Sequence, residues 1–331
     1  MSSEDPHLNI KIFEAPDSIE KGSTRVGFGR GLLMAGDHNK NVVALCADLK
    51  ESVQMHIFAK EYPERFFEMG IAEQSMASVA SGMAHMGKIP FVGSYAMFNP
   101  GRNWEQIRTT VCYNNVPVKI VGSHSGVTVG PDGGSHQALE DIALARVLPN
   151  MTVISPCDEK EAWKATLAAA QTKTPVYLRL SRHEAQTVTT DATPFEIGKA
   201  QIFFRPDGPA EVGIICTGTL IYNAIRAAKE LETEGIRVRV MNLATIKPID
   251  VKAIVKLAKE TGKIVTVEEH QIHGGMGSAV AEVLAEHWPT KIKFVGVKNA
   301  FGQSGTAEEL LAHYGLDVEG IKKAVKEIYV V

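Results

Sequence analysis

Three stretches of this 331-residue chain concentrate side chains that could do chemistry. In "SHSGVTVGPDGGSHQ" (123–137), His124, Asp132 and His136 stand eight and four residues apart in a glycine-rich setting. Neutral His donates to oxygen and Asp accepts from hydroxyls, so the trio suits a polyhydroxylated, anionic ligand. The spacing matches no metal template, and no tight Cys or His pair supports one. Read alone, "PDGG" is a turn that Asp132 caps. In "FFEMGIAEQSM" (66–76), Glu73 follows a Gly turn and opens a helix among small apolar neighbours. The helix dipole favours a carboxylate there by about 0.3–1 kcal/mol, so an ordinary first-turn residue is one reading. The other is a buried acid whose pKa apolar surroundings raise, fit to exchange a proton with a ring nitrogen. In "GSYAMFNPGRNWEQIR" (93–108), Tyr95 and Phe98 either pack in a core or form a slot for a heteroaromatic ring. Face contact with such a ring adds about 0.5–1.5 kcal/mol beyond burial.

Arg25, Ser52 and Arg182 form a second, more scattered set. Two of the three follow strand ends, and an Arg with a hydroxyl makes a phosphate clamp. "HGGMGSAV" (273–280) lacks the GxGxxG spacing and the acidic residue after the next strand, so it is not read as a dinucleotide loop. Its glycines are expected to pack a helix start.

The elements that must position these residues follow from hydrophobic patterning. Segments 42–49, 89–96, 116–123, 151–156 and 175–181 are short, apolar on both faces and rich in Val and Ile, as buried parallel strands are. Helical periodicity fills the gaps, most clearly at 73–87 and at 158–171, which Asp158 caps. A polar, Thr-rich stretch, 183–194, reads as a linker. A second alternation follows: strands 211–218, 237–244, 263–269 and 292–297, with helices 219–234, 250–261 and 276–287. The fold class is α/β, with two domains, each a mostly parallel sheet with helices on both faces. Residues 1–20 are expected to be a poorly ordered arm, 21–190 the first domain and 191–331 the second. In such sheets ligands gather at the carboxyl ends of strands. The loop 123–137 begins at such an end and leads into the helical pattern "HQALEDIALARVL". It is longer than most connections, and such loops tend to carry function.

Bulk properties exclude several classes. The formal net charge of −3 gives no electrostatic reason to bind nucleic acid or an anionic membrane. No apolar run is long enough to span a bilayer. The polar, acidic N-terminus is unlike a secretory signal or a basic transit peptide. Cys46, Cys112, Cys157 and Cys216 lie far apart with no CxxC pair, which argues against zinc or a disulfide framework and fits a reducing cytoplasm.

In this order and spacing, "FFEMGIAEQSM", "SHSGVTVGPDGGSHQ" and "LRLSRHE" resemble the C-terminal half of transketolase. "LATIKPID" (243–250) and "VTVEEHQIHGGMGSAVAE" (265–282) are similar to that superfamily's third domain. The resemblance runs from about residue 20 to the end, across a pyrimidine-binding and a C-terminal domain. It implies that Glu73 hydrogen-bonds N1' of the thiamine diphosphate pyrimidine and promotes the imino tautomer. It implies that Tyr95 and Phe98 hold the pyrimidine. Arg25, Ser52, His124 and Arg182 then bind sugar phosphate, while Asp132 and His136 contact substrate hydroxyls and the covalent intermediate. Where the family often has a third aromatic, this chain reads "NPGRNW", so Arg102 or Asn103 occupies that region and Arg102 is the candidate cofactor contact. The glycines of 123–137 are expected to let backbone approach the cofactor and sugar.

One departure is larger. Full-length transketolases carry a GDG motif and a later Asn that hold Mg²⁺ and the diphosphate, and no GDG occurs here. The resemblance therefore implies one subunit of a split transketolase, with Mg²⁺ (or Ca²⁺) held mainly by an N-terminal partner, in a heterotetramer of two plus two. Relatives with the same plan compete. The beta subunit of a 2-oxo acid dehydrogenase would not need the Asp132–His136 pattern or Arg182, and deoxyxylulose-phosphate synthase is normally one chain. A non-catalytic scaffold or regulatory subunit is a further reading, against which the retained ionisable set argues.

Overall fold

The computed structural model describes residues 7–15 and 18–330. A short helix α1 (Lys11–Glu14) and strand β1 (Lys21–Ser23) lead into α2 (Thr24–His38). The first unit continues through β2 (Val42–Cys46), α3 (His56–Glu61), β3 (Phe66–Glu68), α4 (Glu73–His85), β4 (Ile89–Tyr95) and α5 (Trp104–Gln106). It ends with β5 (Lys119–Ser125), α6 (Asp141–Arg146), β6 (Thr152–Ile154), α7 (Glu159–Gln171), β7 (Val176–Ser181) and β8 (Glu184–Gln186). The second unit comprises β9 (Gln201–Phe204), β10 (Val212–Cys216), α8 (Ile221–Thr233), β11 (Val238–Asn242) and β12 (Thr245–Lys247). After these come α9 (Val251–Thr261), β13 (Lys263–Gln271), α10 (Met276–His287), β14 (Lys291–Val297), α11 (Ala307–His313) and α12 (Val318–Tyr329).

The first sheet has the order β12-β6-β7-β5-β4-β2-β3 and is parallel except for β12, which runs antiparallel to β6. The second has the order β14-β13-β10-β11-β9 and is parallel except for β9. Both faces of the first sheet are covered, which is why its strands read as apolar without alternation. Along β2, Val43 and Leu45 enter the core under α4, while Val42, Ala44 and Cys46 enter the core under α2 and α7. The α4 core continues without a break into one face of the second sheet, through Ile215, Met241, Leu243 and Leu257. One hydrophobic core thus joins the two units.

Several expectations change. The stretch 183–194 is packed, not a free linker: β8 pairs with β1. Thr189 donates through its N–H and hydroxyl to Asp158 (2.6 and 2.8 Å), and Val188 is buried. The described part of the 1–20 arm is docked as well, because Ile12 and Ile19 bury their side chains and the Asn9 N–H donates to Val188 O at 2.9 Å; residues 1–6 lie outside the described residues. The helical pattern after the 123–137 loop yields only the short α6. Asp158 caps α7 as expected, accepting from the Glu161 N–H at 2.8 Å.

Candidate active site

Because β2, β4, β5 and β7 are parallel neighbours, their carboxyl ends share one edge of the sheet. Ser52 lies beyond β2, Tyr95 ends β4, His124 is the penultimate residue of β5, and Arg182 follows β7. One edge therefore gathers residues 130 positions apart in sequence, from Ser52 to Arg182.

Glu73 is the first residue of α4 and is 1% exposed. Its surroundings are not the apolar ones expected. Ser94 Oγ donates to Oε1 at 2.9 Å, and Arg102 Nη1 pairs with Oε2 at 2.7 Å. Asn103 Nδ2 donates to the Glu73 carbonyl at 3.1 Å and to Asn99 Oδ1 at 3.0 Å. A buried carboxylate without partners is costly, and these donors answer that cost. Arg102 is 43% exposed on its side chain and lies over the Phe98 ring, 4.5 Å from its centroid. Arg102 is thus bonded to the very carboxylate that the resemblance assigns to the cofactor.

His124 has φ +54°, where β5 breaks register with β7. Such a conformation costs a non-glycine residue about 1–3 kcal/mol and re-aims its side chain, as bulges near functional sites do. The expected strand end moves: the strand runs through His124 to Ser125, so His124 belongs to the sheet edge rather than to the loop. Its ring stacks on Tyr95 with centroids 3.9 Å apart, and Ser123 Oγ is 2.9 Å from Nδ1. Burial, helped by the Arg25 and Arg182 charges, holds its pKa down at about 3, so the ring is neutral. His136 meets the same cluster edge-on, 6.2 Å from Tyr95 and 5.7 Å from Phe98.

Arg25, Ser52 and Arg182 come together through backbone. Arg25 Nη1 donates to Ser52 O at 2.7 Å and Nη2 to Arg182 O at 2.9 Å, while its Nε is buried without a partner. Burial and the nearby Arg182 charge lower the Arg25 pKa. Two arginines thus lie side by side with no carboxylate paired to either among the described residues. Arg182 Nη1 donates to Val129 O at 2.8 Å, which ties the clamp to the loop. Asp132 is not drawn into this cluster: it is exposed and its carboxylate makes no hydrogen bond or ion pair among the described residues.

Three of the loop's glycines lie against the second unit. Gly126 (φ +81°) lies against the Glu269 carboxylate, and a Cβ at Gly133 (φ +76°) would stand 2.7 Å from Ser304 Oγ. A Cβ at Gly134 would meet Gly302 O. At these three positions the missing side chains admit residues of the second unit. Glu269 Oε1 accepts the Thr128 N–H at 2.6 Å. Gln137 Nε2 donates to Val127 O, Gly130 O and Gln303 O at 3.1, 3.2 and 2.9 Å. Ser94, Gln137 and Glu269 went unnoticed in the sequence, and Asn103, weighed there beside Arg102, bonds the Glu73 carbonyl. Gln137 sits inside the motif, but nothing in the residue order pairs Glu269 with Thr128, 141 positions away.

The "HGGMGSAV" stretch opens α10 on Gly275, as expected of a packed helix start. Its N-terminal amides are taken by the chain itself: Glu268 accepts from Met276 N at 2.6 Å and Gly277 N at 2.8 Å. A carboxylate fills the place that a phosphate takes at a dinucleotide loop. Among the described residues no group of three or more His, Cys, Asp or Glu side chains could hold a metal, and no helix is long and apolar enough to cross a membrane.

A buried glutamate at a helix start, an aromatic wall and a pair of arginines thus lie at one sheet edge. Residues 20–187 match the transketolase pyrimidine-binding domain, and residues 204–321 match the transketolase C-terminal domain. The chain belongs to the transketolase family. It is 45% identical over 92% of its length to a putative transketolase C-terminal section of Methanocaldococcus jannaschii, covering 95% of that protein. It is 39% identical over 92% of its length to an apulose-4-phosphate transketolase subunit of Phocaeicola vulgatus, covering 96% of it. Among solved structures, a split gene transketolase described as an inactive beta4 tetramer aligns with TM-score 0.86 and 43% identity over 93% of this chain and 99% of that one. These domains imply dependence on thiamine diphosphate.

Proposed function

We propose that this chain is the C-terminal subunit of a two-chain transketolase. Together with an N-terminal partner that carries the GDG...Asn motif, it moves a two-carbon ketol unit from a ketose phosphate to an aldose phosphate. Support comes above all from the convergence of Glu73, Tyr95, His124, His136, Arg25 and Arg182 on one sheet edge. Mg²⁺ (or Ca²⁺) and the diphosphate fall to the partner, in a cytoplasmic heterotetramer of two plus two. The description of a similar chain as an inactive tetramer supports the need for that partner.

Thiamine diphosphate, when bound, supplies the carbon nucleophile for cleaving and forming the carbon–carbon bond. Tyr95 and Phe98 present an aromatic wall to its pyrimidine. Glu73, released from Arg102, exchanges a proton at Oε2 with the ring nitrogen. Arg25 and Arg182 take the substrate phosphate, with Ser52 beside them. His124 donates to a substrate oxygen, and His136 and Asp132 take hydroxyls.

The test is reconstitution. This chain, thiamine diphosphate, Mg²⁺, xylulose 5-phosphate and ribose 5-phosphate give no turnover alone and robust turnover once the N-terminal subunit is added. A relative that acts on apulose 4-phosphate makes a panel of ketose phosphates part of the assay. Pyruvate decarboxylation in place of ketol transfer would favour the 2-oxo acid dehydrogenase reading, and robust turnover without a partner would end the two-chain one.

A further inference from the structure

The site contains the dipeptide Ser-His twice, at 123–124 and 135–136, with the same local contact: the Ser hydroxyl lies 2.9 and 3.0 Å from the Nδ1 of the following His. The two copies differ in burial. Ser123 is wholly buried and its hydroxyl has no other hydrogen-bond partner among the described residues, whereas the Ser135–His136 pair is open to solvent.

A hydroxyl carries one proton, and a neutral imidazole carries one proton on one of two nitrogens. Were His124 protonated at Nδ1, that N–H would donate to Ser123 Oγ and strand the hydroxyl proton in the interior. A buried donor with nothing to donate to costs more than the bond returns. The opposite arrangement satisfies both groups. We infer that Ser123 Oγ–H donates to His124 Nδ1 and so fixes this imidazole as its Nε2–H tautomer, making Ser123 a positioning residue that turns His124 into an obligate hydrogen-bond donor.

Burial and two neighbouring arginines keep the His124 ring neutral, so one proton has to be placed. Tyr95, stacked at 3.9 Å, holds the ring plane, and Nε2 has no partner among the described residues. An Nε2–H fixed in this way recognises an oxygen acceptor, such as a carbonyl, hydroxyl or phosphate oxygen. His136 is the contrast: the exposed Ser135 hydroxyl can give its proton to solvent, so the contact fixes neither tautomer of that ring. The two copies thus divide into one imidazole with its tautomer fixed and one without. The value of this for catalysis rests on the proposed reading of His124 as a substrate contact.

Long-range ¹H–¹⁵N spectra of the full chain decide the tautomer, with His124 assigned by its loss in His124→Gln. The wild type shows Nε2 protonated and Nδ1 bare from pH 6 to 8; Ser123→Ala gives a mixture, and Ser123→Thr restores the wild-type pattern. In the reconstituted enzyme Ser123→Ala lowers kcat/KM by about 10-fold, mainly through KM, and Ser123→Thr recovers it. An Nδ1–H tautomer in the wild type, or an unchanged tautomer in Ser123→Ala, overturns the inference. The wild-type spectrum needs no variant to fold. A shifted tautomer with unchanged kinetics upholds the role of Ser123 and overturns His124 as a substrate contact.

Discussion

Arg102 closes on Glu73: its Nη1 lies 2.7 Å from the carboxylate Oε2 while its guanidinium rests on Phe98. The acid expected to meet the cofactor therefore already has a partner on its own chain, and one that is far more exposed than Glu73 itself.

Glu73→Gln keeps the Ser94 contact through the amide oxygen but cannot exchange a proton. In the reconstituted enzyme kcat falls at least about 100-fold, near 2.7 kcal/mol, with the assembled mass unchanged. Steady-state kinetics and native mass spectrometry check both halves. Full activity would remove Glu73 from cofactor activation.

Arg102→Ala separates two roles. As a competitor for Oε2, its loss tightens thiamine diphosphate binding several-fold, read by cofactor titration of the assembled enzyme. The melting midpoint falls, because the buried Glu73 carboxylate loses a partner. Weaker binding would make Arg102 a cofactor contact, as the sequence suggests.

Glu269 holds the loop from the second unit. Replacing it by Ala removes the acceptor of the Thr128 N–H, and amide exchange over 126–137 accelerates at least about 10-fold while β10 and β13 stay protected. Glu269→Gln retains an acceptor oxygen and slow exchange. Gly134→Ala, which forces a Cβ onto Gly302 O, loosens the same segment from the other side. Unchanged exchange in all three would show that the loop stands without the second unit.

Glu161 gives a pH dependence to stability. Burial, then the Asp158 carboxylate, raises its pKa from 4.5 to about 7. The folded state therefore binds this proton more tightly than the unfolded one. The contribution is complete below pH 4.5, declines as pH rises, and is gone above about 7. At 1.36 kcal/mol per unit the swing is at most roughly 3 kcal/mol. Glu161→Gln removes it, and the buried Asn242 Oδ1, which lacks a partner, can accept the new amide if Asn242 turns over. Denaturant midpoints of the two proteins converge near pH 5 and separate by pH 8, with the variant more stable. Parallel profiles would refute the assignment.

The parallel strands and the site edge were legible because β2, β4, β5 and β7 are apolar on both faces and each ends next to a polar, reactive residue. The contents of the site were less so. Small neighbours in "GIAEQSM" suggested an apolar seat for Glu73, yet its partners come from Ser94 and Arg102, 21 and 29 positions on. The glycines of 123–137 signalled close approach correctly, but residue order does not say what approaches, and it is the 302–304 segment. The Thr-rich 183–194 stretch looked like a linker because its burial rests on bonds to Asp158, which composition does not reveal.

Strand β12 comes from beyond β11 yet lies on the open side of β6, pairing Thr245 with Ile154 and Lys247 with Val153. Dividing the chain between its two halves would uncover the hydrogen-bonding groups of β6 along an apolar edge, an invitation to stick to other chains. The two halves therefore share a hem: the first sheet is finished only by a strand that the second half supplies.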